Sequence, residues 1–185
     1  KAEEIAYKIL EKNKSDPELN NLIGNILQKR GKIKSVQFFR RALKNTKRKD
    51  VSLNNIGTLL YEKRKIKPAI RFFCTATAEN YHNSEAQVNL AYSLLLKKYF
   101  RLGWEKHEYR WRVDPLKKVR WPFKKDYLWR GEKDKRIVLW REQGIGDLII
   151  FLGLVPEAFK IAKTLSVYID PRLMSMCNRS MSGIK

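Results

Sequence analysis

Residues 1–113 carry apolar side chains at spacings of three and four, in blocks of helical length separated by short polar turns. This pattern predicts a series of amphipathic helices. In one pair of blocks, Gly57 precedes Ala69 by twelve residues and Ala76 by nineteen, with the large residue Phe73 between the two alanines. Because small residues let two helices cross closely and large ones fill the groove beside the crossing, the pair is predicted to form a helical hairpin.

The same scheme repeats at a fixed interval along the chain. A shift of 34 residues places Leu90 and Ala91 on the large and small positions of the first helix, and Gly103 on the first small position of the second. An earlier copy contains Gly24 and Ala42, which are eighteen residues apart rather than nineteen. The earlier copy is therefore one residue short.

The missing residue predicts a tightened inter-helix turn near Gly31, and residues 2–14 are predicted to be the second helix of a still earlier copy. This order of large, small and aromatic residues resembles the tetratricopeptide repeat (TPR). The resemblance implies a right-handed α-solenoid of about three and a half helical hairpins, and three stacked repeats are about the minimum for stability.

The resemblance also implies a groove along the stacked repeats that binds a protein or an extended peptide. Asn55 and Asn89 lie 34 residues apart and are expected to face this groove. Their side-chain amides can donate to and accept from a peptide backbone at the same time. Ordinary exposed polar positions explain the two asparagines equally well. A lysine-rich groove rim would favour acidic peptides.

The sequence pattern changes after residue 113. Charged residues and two prolines predict an extended connector over residues 114–135, and all five tryptophans lie between Trp104 and Trp140. Beyond the connector the pattern predicts a buried strand, a helix broken at Pro156, a second strand and a second short helix, over residues 136–140, 147–163, 165–169 and 171–179. This alternation predicts a parallel βα arrangement of the Rossmann type.

A glycine-containing turn, Gly144 to Asp147, follows the first of these strands. Gly144 and Gly146 suit a strand-to-helix turn in which the backbone is closely approached, and the amides of the following helix would form an anion site. The turn does not match the GxGxxG fingerprint of dinucleotide-binding folds, because Ile149 stands where the third glycine would be. Asp147 is interpreted either as the helix N-cap or as a catalytic carboxylate.

The C-terminal part resembles a second family. The runs GWEKHEYRW, IVLWREQGIGDLIIF and VYIDPRL occur in order between about Gly103 and Ile184. They are similar to bacterial proteins in which tetratricopeptide repeats precede a glycosyltransferase-like domain. That domain is similar to the lipopolysaccharide heptosyltransferases of glycosyltransferase family 9 and, more distantly, to O-linked N-acetylglucosamine transferase.

This second resemblance implies a catalytic role for Asp147 as the general base that takes the proton of an acceptor hydroxyl. It implies that Gln143, Gly144 and Gly146 shape the site for a glycan or protein acceptor. It further implies a nucleotide-sugar donor, held mainly by a second lobe. We expect the chain to be the N-terminal part of such an enzyme, with no cofactor of its own and inactive by itself.

The sequence therefore predicts an α+(α/β) chain: a tetratricopeptide-repeat α-solenoid followed by the beginning of a GT-B Rossmann-like lobe. The expected boundaries are 1–113 for the solenoid, 114–135 for the Trp- and Lys-rich connector and 136–185 for the partial acceptor lobe. The predicted function is glycosyl transfer by the complete protein, with partner binding by the repeats. The alternative is a non-catalytic interaction scaffold whose βα segment is a remnant.

Charge adds a third hypothesis. The chain has 40 Lys and Arg against 19 Asp and Glu, a formal net charge of +21. Ten basic residues and no acidic one lie between Lys29 and Lys49. Such a surface attracts polyanions such as RNA, DNA or anionic lipid, although a solvated lysine-rich helix face is the simpler interpretation. No RNA-binding signature accompanies it, so a nucleic-acid partner is not expected.

The remaining composition excludes several protein classes. Cys74 and Cys177 are far apart and in no CxxC pattern, and His82 and His107 have no ligand-type spacing. We therefore expect neither a metal site nor a disulfide framework, and a cytoplasmic location. The longest nearly apolar stretch, Leu148 to Val155, is much shorter than the roughly 20 residues that a membrane-spanning helix needs.

Overall fold

A computed structural model describes residues 2–113, 128–141 and 144–180. The chain divides into two compact units, Lys1–Arg120 and Trp121–Lys185. Most of the predicted connector, residues 114–127, lies outside the described residues, so the domain boundaries given above remain predictions.

The first unit consists of consecutive helices. They are α1 (Ala2–Lys12), α2 (Pro17–Lys29), α3 (Ser35–Asn45), α4 (Lys49–Glu62), α5 (Ile66–Glu79), α6 (Ser84–Leu96) and α7 (Phe100–His107), with a 3₁₀ helix over Glu108–Arg112. Each helix packs against the next, and α4 also contacts both α2 and α6. We call α2, α4 and α6 the A helices and α3, α5 and α7 the B helices. This pairing agrees with the hairpins predicted from the sequence.

Local sequence explains where two A helices begin. The Asp16 carboxylate accepts a hydrogen bond from the Leu19 amide at 2.9 Å, and Pro17 occupies the first turn of α2. The Asn83 side chain accepts from the Ala86 amide at 3.0 Å and caps α6 in the same way. These side chains satisfy amides that have no partner within their helix.

The A and B helices of a hairpin cross at the predicted small residues. Gly24 lies against the ring of Phe39 and Gly57 against the ring of Phe73, and both rings are buried. A Cβ atom at Gly57 would stand 2.5 Å from the Phe73 ring, closer than van der Waals contact permits. The third hairpin has Ala91 at the equivalent position. The first two crossings thus combine glycine with phenylalanine.

The tightening expected near Gly31 lies just after the turn, at the start of α3. After this turn, the amides of Ser35, Val36 and Gln37 each bond to the carbonyl three residues earlier. In the other two hairpins the B helix begins with bonds to the carbonyl four residues earlier, from Ala69 and Gly103. A 3₁₀-type start therefore absorbs the missing residue of the first hairpin.

All three hairpins share one turn geometry after the A helix. Gly31, Arg64 and Lys98 have φ of 68°, 58° and 63°, the left-handed region. In each turn the next amide bonds back to the carbonyl of a leucine five residues earlier, at 2.9, 2.9 and 3.0 Å, from Lys32, Lys65 and Tyr99. This is the Schellman motif, which usually places glycine at the left-handed position. Two of the three hairpins place a basic residue there instead.

Replacing Arg64 by glycine is expected to stabilise the first unit slightly, by up to about 1 kcal/mol. Glycine relieves the steric cost of the left-handed conformation, and part of the gain is lost to the greater entropy of the unfolded chain. Lys65→Gly is the matched control because it removes the same charge from a residue with φ of −86°, and it should destabilise. Chemical denaturation of both variants tests this, and equal destabilisation would contradict it.

The second unit has a two-stranded parallel sheet with short helices. Its elements are β1 (Arg136–Trp140), α8 (Ile145–Leu152), α9 (Val155–Ile161), β2 (Thr164–Tyr168), a 3₁₀ helix over Pro171–Leu173 and α10 (Met174–Ser180). Register pairs Ile137 with Leu165 and Leu139 with Val167. The predicted parallel arrangement is correct for these two strands, but a two-stranded sheet does not by itself establish a Rossmann lobe.

The interruption predicted near Pro156 is confirmed: the segment forms two helices, the chain breaks at Gly153 and Leu154, and the second helix starts with Pro156 in its first turn. One expectation for this unit was wrong in detail. The strand over residues 136–140 is not buried on both faces. Ile137 is buried, whereas Val138 on the other face is 53% exposed.

Candidate functional site

The A helices carry two polar clusters that link successive repeats. In the first cluster the Asn21 amide of α2 donates to the Ser52 hydroxyl of α4 at 3.1 Å, and Asn55 donates to the Asn21 carbonyl oxygen Oδ1 at 3.4 Å. The Ser52 hydroxyl also lies 3.2 Å from this oxygen. The cluster therefore joins the first two A helices through side chains alone.

The second cluster joins α4 to α6. The Asn89 amide donates to Asn54 Oδ1 at 2.9 Å and lies 3.4 Å from the Thr58 hydroxyl. Thr58 in turn donates to the backbone carbonyl of Asn54 at 3.0 Å. Asn89 is half-buried, as is Asn55 in the first cluster. Ser52 and Asn54 are buried. The two clusters are thus only partly exposed, and we call the side of the A helices that carries Asn55 and Asn89 the A-helix face.

The structure does not bring Asn55 and Asn89 into one hydrogen-bonded group. Each belongs to a different cluster, and each uses its amide hydrogens to hold a neighbouring helix. Within the part of the chain that the structure describes, neither Oδ1 accepts a hydrogen bond. Each of two successive repeats therefore has one side-chain amide oxygen that accepts no hydrogen bond from the described residues.

A buried carboxylate anchors the loop between α5 and α6. Asp50 on α4 is 4% exposed and accepts hydrogen bonds from the side-chain amides of Asn80 at 3.1 Å and Asn83 at 2.8 Å. Asn83 also caps α6 through its own oxygen. Asp50 therefore fixes the orientation of that cap and, through it, the start of the third A helix.

Aromatic and basic side chains pack together at the end of the first unit. The Tyr81 and Tyr109 rings meet edge to face with centroids 5.6 Å apart, and the Lys106 ammonium lies 5.4 Å from the Tyr81 ring centroid. Partial burial and, next, the hydrogen bond with Tyr81 raise the pKa of Tyr109 to about 12. The cluster also packs the 3₁₀ helix against the α5–α6 loop.

The Gly144–Asp147 turn follows β1, as predicted. Gly144 occupies the N-cap position of α8 without a side-chain cap, and Asp147 is the third residue of that helix and is exposed. The N-cap interpretation of Asp147 is therefore wrong, since the helix begins two residues earlier than the sequence suggested. Gln143, the other predicted acceptor-site residue, lies outside the described residues.

An ion-pair cluster beside this turn was not singled out from the sequence. Asp170, which follows β2, is 5% exposed and pairs with Arg141, which follows β1. Arg172 donates to the same carboxylate from its side chain at 2.9 and 3.0 Å and from its backbone amide at 3.0 Å. The cluster ties together the carboxyl ends of both strands, the edge at which parallel sheets usually bind ligands.

The Arg172 side chain, then its backbone amide, and more weakly the Arg141 charge hold the pKa of Asp170 well below its usual range. Because the pKa of Asp170 is lower in the folded state than in the unfolded state, the ionised carboxylate stabilises the folded state. This stabilisation is fully present above the unfolded-state pKa of about 4 and is lost as the pH falls. Asp170→Asn is therefore expected to lower the midpoint of thermal unfolding at pH 7, with a smaller difference from the unmodified chain at pH 3. Equal differences at both pH values would contradict this.

No helix within residues 2–113, 128–141 and 144–180 is long and apolar enough to cross a membrane. The same residues contain no group of three or more His, Cys, Asp or Glu side chains placed to hold a metal ion.

No protein-family model and no curated protein matches the chain. Among solved structures, it is similar to MamA, with a TM-score of 0.52 and 15% identity over 62% of this chain and 67% of MamA. It is also similar to PilF of Pseudomonas aeruginosa, with a TM-score of 0.51 and 24% identity over 59% of this chain and 50% of PilF. Another match, YrrB, is described as a TPR protein with an unusual peptide-binding site and has a TM-score of 0.49, with 17% identity over 62% of this chain and 59% of YrrB.

These neighbours are TPR proteins, and the first two support a TPR-like solenoid fold for the helical part of the chain. The match spans about half of the PilF chain. None of the three matches supports a glycosyltransferase domain. The likeness to MamA and PilF therefore concerns the fold of the helical part of the chain.

Proposed function

We propose that the chain is a TPR-like interaction scaffold that binds an extended segment of a protein partner on the A-helix face. The observation that carries this proposal is the pair of polar clusters on successive A helices. A stack of repeats exposes such a face continuously, with one equivalent position per repeat.

The chemistry of the face suits a peptide backbone. Asn55 and Asn89 each offer an oxygen that accepts no hydrogen bond within the described part of the chain. Packed neighbouring helices lie about 8–10 Å apart, and an extended chain rises about 3.3 Å per residue. Acceptors on successive A helices would therefore engage peptide N–H groups about three residues apart. The net charge of +21 favours acidic segments.

A peptide selected from a displayed random library on the full chain tests this proposal. Asn55→Ala with Asn89→Ala should weaken its binding by roughly tenfold or more, since two hydrogen bonds are lost. Gln37→Ala is the matched control, because Gln37 is an exposed amide on a B helix, and it should leave the affinity unchanged. Failure to select any peptide, or equal weakening by both changes, would overturn the proposal.

A second candidate function is glycosyl transfer, with Asp147 as the base and Gln143, Gly144 and Gly146 shaping the acceptor site. The exposed Asp147 carboxylate in the first turn of α8, close after β1, favours it. Such a reaction needs a nucleotide-sugar donor and a glycan or protein acceptor. If a longer form of this protein transfers sugar, Asp147→Ala should reduce turnover about 100-fold or more. Unchanged turnover would exclude Asp147 as the base.

A further inference from the structure

The A–B turns of all three hairpins are basic. Residues 29–34, 63–67 and 97–101 carry four, four and three basic side chains and no acidic one. All of them are exposed: Lys29, Arg30, Lys32, Lys34, Lys63, Arg64, Lys65, Lys67, Lys97, Lys98 and Arg101. Because these turns follow A helices that pack side by side, they lie along one edge of the array. We call this edge the basic ridge.

The opposite edge differs in composition. The loops that lead into the A helices, residues 13–16, 46–48 and 80–83, carry only three basic side chains, Lys14, Lys47 and Arg48, and one acidic side chain, Asp16. The structure thereby divides the basic run between Lys29 and Lys49. Its first part belongs to the basic ridge, its middle part to the exposed side of α3 and its end to the opposite edge. The charge is thus concentrated on one edge and not spread evenly.

Helix dipoles do not account for the ridge. Cations are favoured near the C-terminus of a helix, which explains Lys63 and Lys97 after the A helices. Lys67 and Arg101, however, lie in the first turns of B helices, where cations are disfavoured. None of α3, α5 and α7 has an acidic residue in its first turn, whereas each A helix has one. Lys67 and Arg101 on the ridge therefore lie where the dipole of the B helix disfavours positive charge.

Two of the basic residues on the ridge also have an unfavourable backbone conformation. Arg64 and Lys98 occupy the left-handed turn position that Gly31 fills in the first hairpin, at a steric cost that glycine avoids. Residues that repeatedly adopt locally unfavourable arrangements at equivalent positions point to a role in function. The unfavourable helix-dipole interaction and the left-handed backbone conformation both occur at this edge, and folding explains neither.

Large apolar side chains are interspersed among these charges. Ile33 is 72% exposed, Tyr99 62% and Phe100 57%. Tyr99 and Phe100 also line an open recess of about 560 Å³ together with Lys98, Arg101, Leu102 and Glu105. Basic residues attract anionic headgroups, and exposed apolar residues insert at the boundary between headgroups and acyl chains. Ile33 is aliphatic and offers no π-face for stacking on nucleic-acid bases, whereas the rings of Tyr99 and Phe100 suit either a membrane interface or stacked bases.

We propose that the basic ridge docks the solenoid on an anionic membrane surface. The charges provide the attraction, and Ile33, Tyr99 and Phe100 enter the interfacial layer. This interaction is peripheral and uses an edge distinct from the A-helix face, so a bound peptide and a bound membrane do not compete for the same residues.

Flotation of the full chain with vesicles tests the proposal. Vesicles of seven parts phosphatidylcholine and three parts phosphatidylglycerol should bind the chain, whereas phosphatidylcholine alone should not. Lys63→Glu with Lys65→Glu and Lys98→Glu should weaken partitioning by about tenfold or more. The matched control, Arg40→Glu with Lys44→Glu and Lys47→Glu, makes the same charge change at exposed positions off the ridge and should change partitioning by less than about threefold.

A separate variant tests whether the exposed apolar side chains contribute to membrane binding. Phe100→Ser should reduce the binding that persists at high salt, where charge attraction is screened, with little effect on helix content. Equal losses in the two triple variants, or equal binding to both vesicle types, would overturn the proposal. Tighter binding of a single-stranded RNA of about 20 nucleotides, with displacement of the vesicles, would also overturn it and assign the ridge to nucleic acid.

Discussion

Replacing Phe73 by alanine is expected to lower the free energy of unfolding of the first unit by about 3–5 kcal/mol. The ring is 1% exposed and packs in one cluster with Ala69, Leu90 and Leu94, so it joins the second hairpin to the third. Gly57 has no side chain that could refill the space. The variant therefore leaves a cavity at the helix crossing.

Phe100→Ala is the matched control, because it deletes the same atoms from a side chain that is 57% exposed. Its effect should stay within about 0.5 kcal/mol. Denaturant unfolding monitored by circular dichroism at a helical wavelength measures both. A loss below about 1 kcal/mol for Phe73→Ala would mean that the crossing is not packed as described.

Asp50→Ala is expected to destabilise the first unit by about 2–4 kcal/mol. Hydrogen bonds to a charged acceptor contribute about 1.5–3 kcal/mol each, and Asp50 accepts two, from Asn80 and Asn83. Without the carboxylate, Asn83 also loses the contact that holds it in place as the cap of α6. Solvent reaches the two half-buried asparagines and recovers part of the loss.

Glu62→Ala provides the control for Asp50, since it removes the same charge from an exposed position on the same helix. It should change stability by less than about 0.5 kcal/mol. Hydrogen exchange distinguishes the two: Asp50→Ala should increase exchange in the first turn of α6, and Glu62→Ala should not. Unchanged exchange there would remove Asp50 from its proposed role in orienting the cap.

The hairpins could be predicted from the sequence because their geometry depends on local spacing. Gly57, Ala69 and Ala76 are close-contact residues whose separation encodes a helix, a turn and a second helix. The spacing between Gly24 and Ala42 is one residue shorter than in the second hairpin. This difference predicted a change in the connection between the two helices, because a missing residue must be accommodated where the chain reverses direction. Such rules need no knowledge of distant contacts.

Contacts between repeats were harder to predict. Asn21 lies 34 residues before Asn55, which is a signal in the sequence, yet it was not singled out. The shortened first hairpin complicates it further: Gly24 and Gly57 are 33 residues apart, so Asn21 matches Asn54 in helix position rather than Asn55. Which asparagines pair depends on how neighbouring A helices pack, and spacing alone does not determine that.

In the C-terminal unit, too, local features could be predicted from the sequence, whereas contacts between distant residues could not. The apolar runs predicted both strands to within one residue, whereas Asp147 was misplaced because α8 begins at Ile145, with Gly144 at its N-cap position. The pairing of Arg141 with Asp170 joins residues 29 positions apart and depends on the parallel register. The sequence could place these residues after their strands but not against each other.

Hydrogen exchange of the full chain with and without a library-selected peptide tests the scaffold account most directly. The account predicts slower exchange in α2, α4 and α6, with the strongest change around Asn55 and Asn89 and little change in α3 and α5. Protection confined to residues 128–180, or to the B helices, would contradict it.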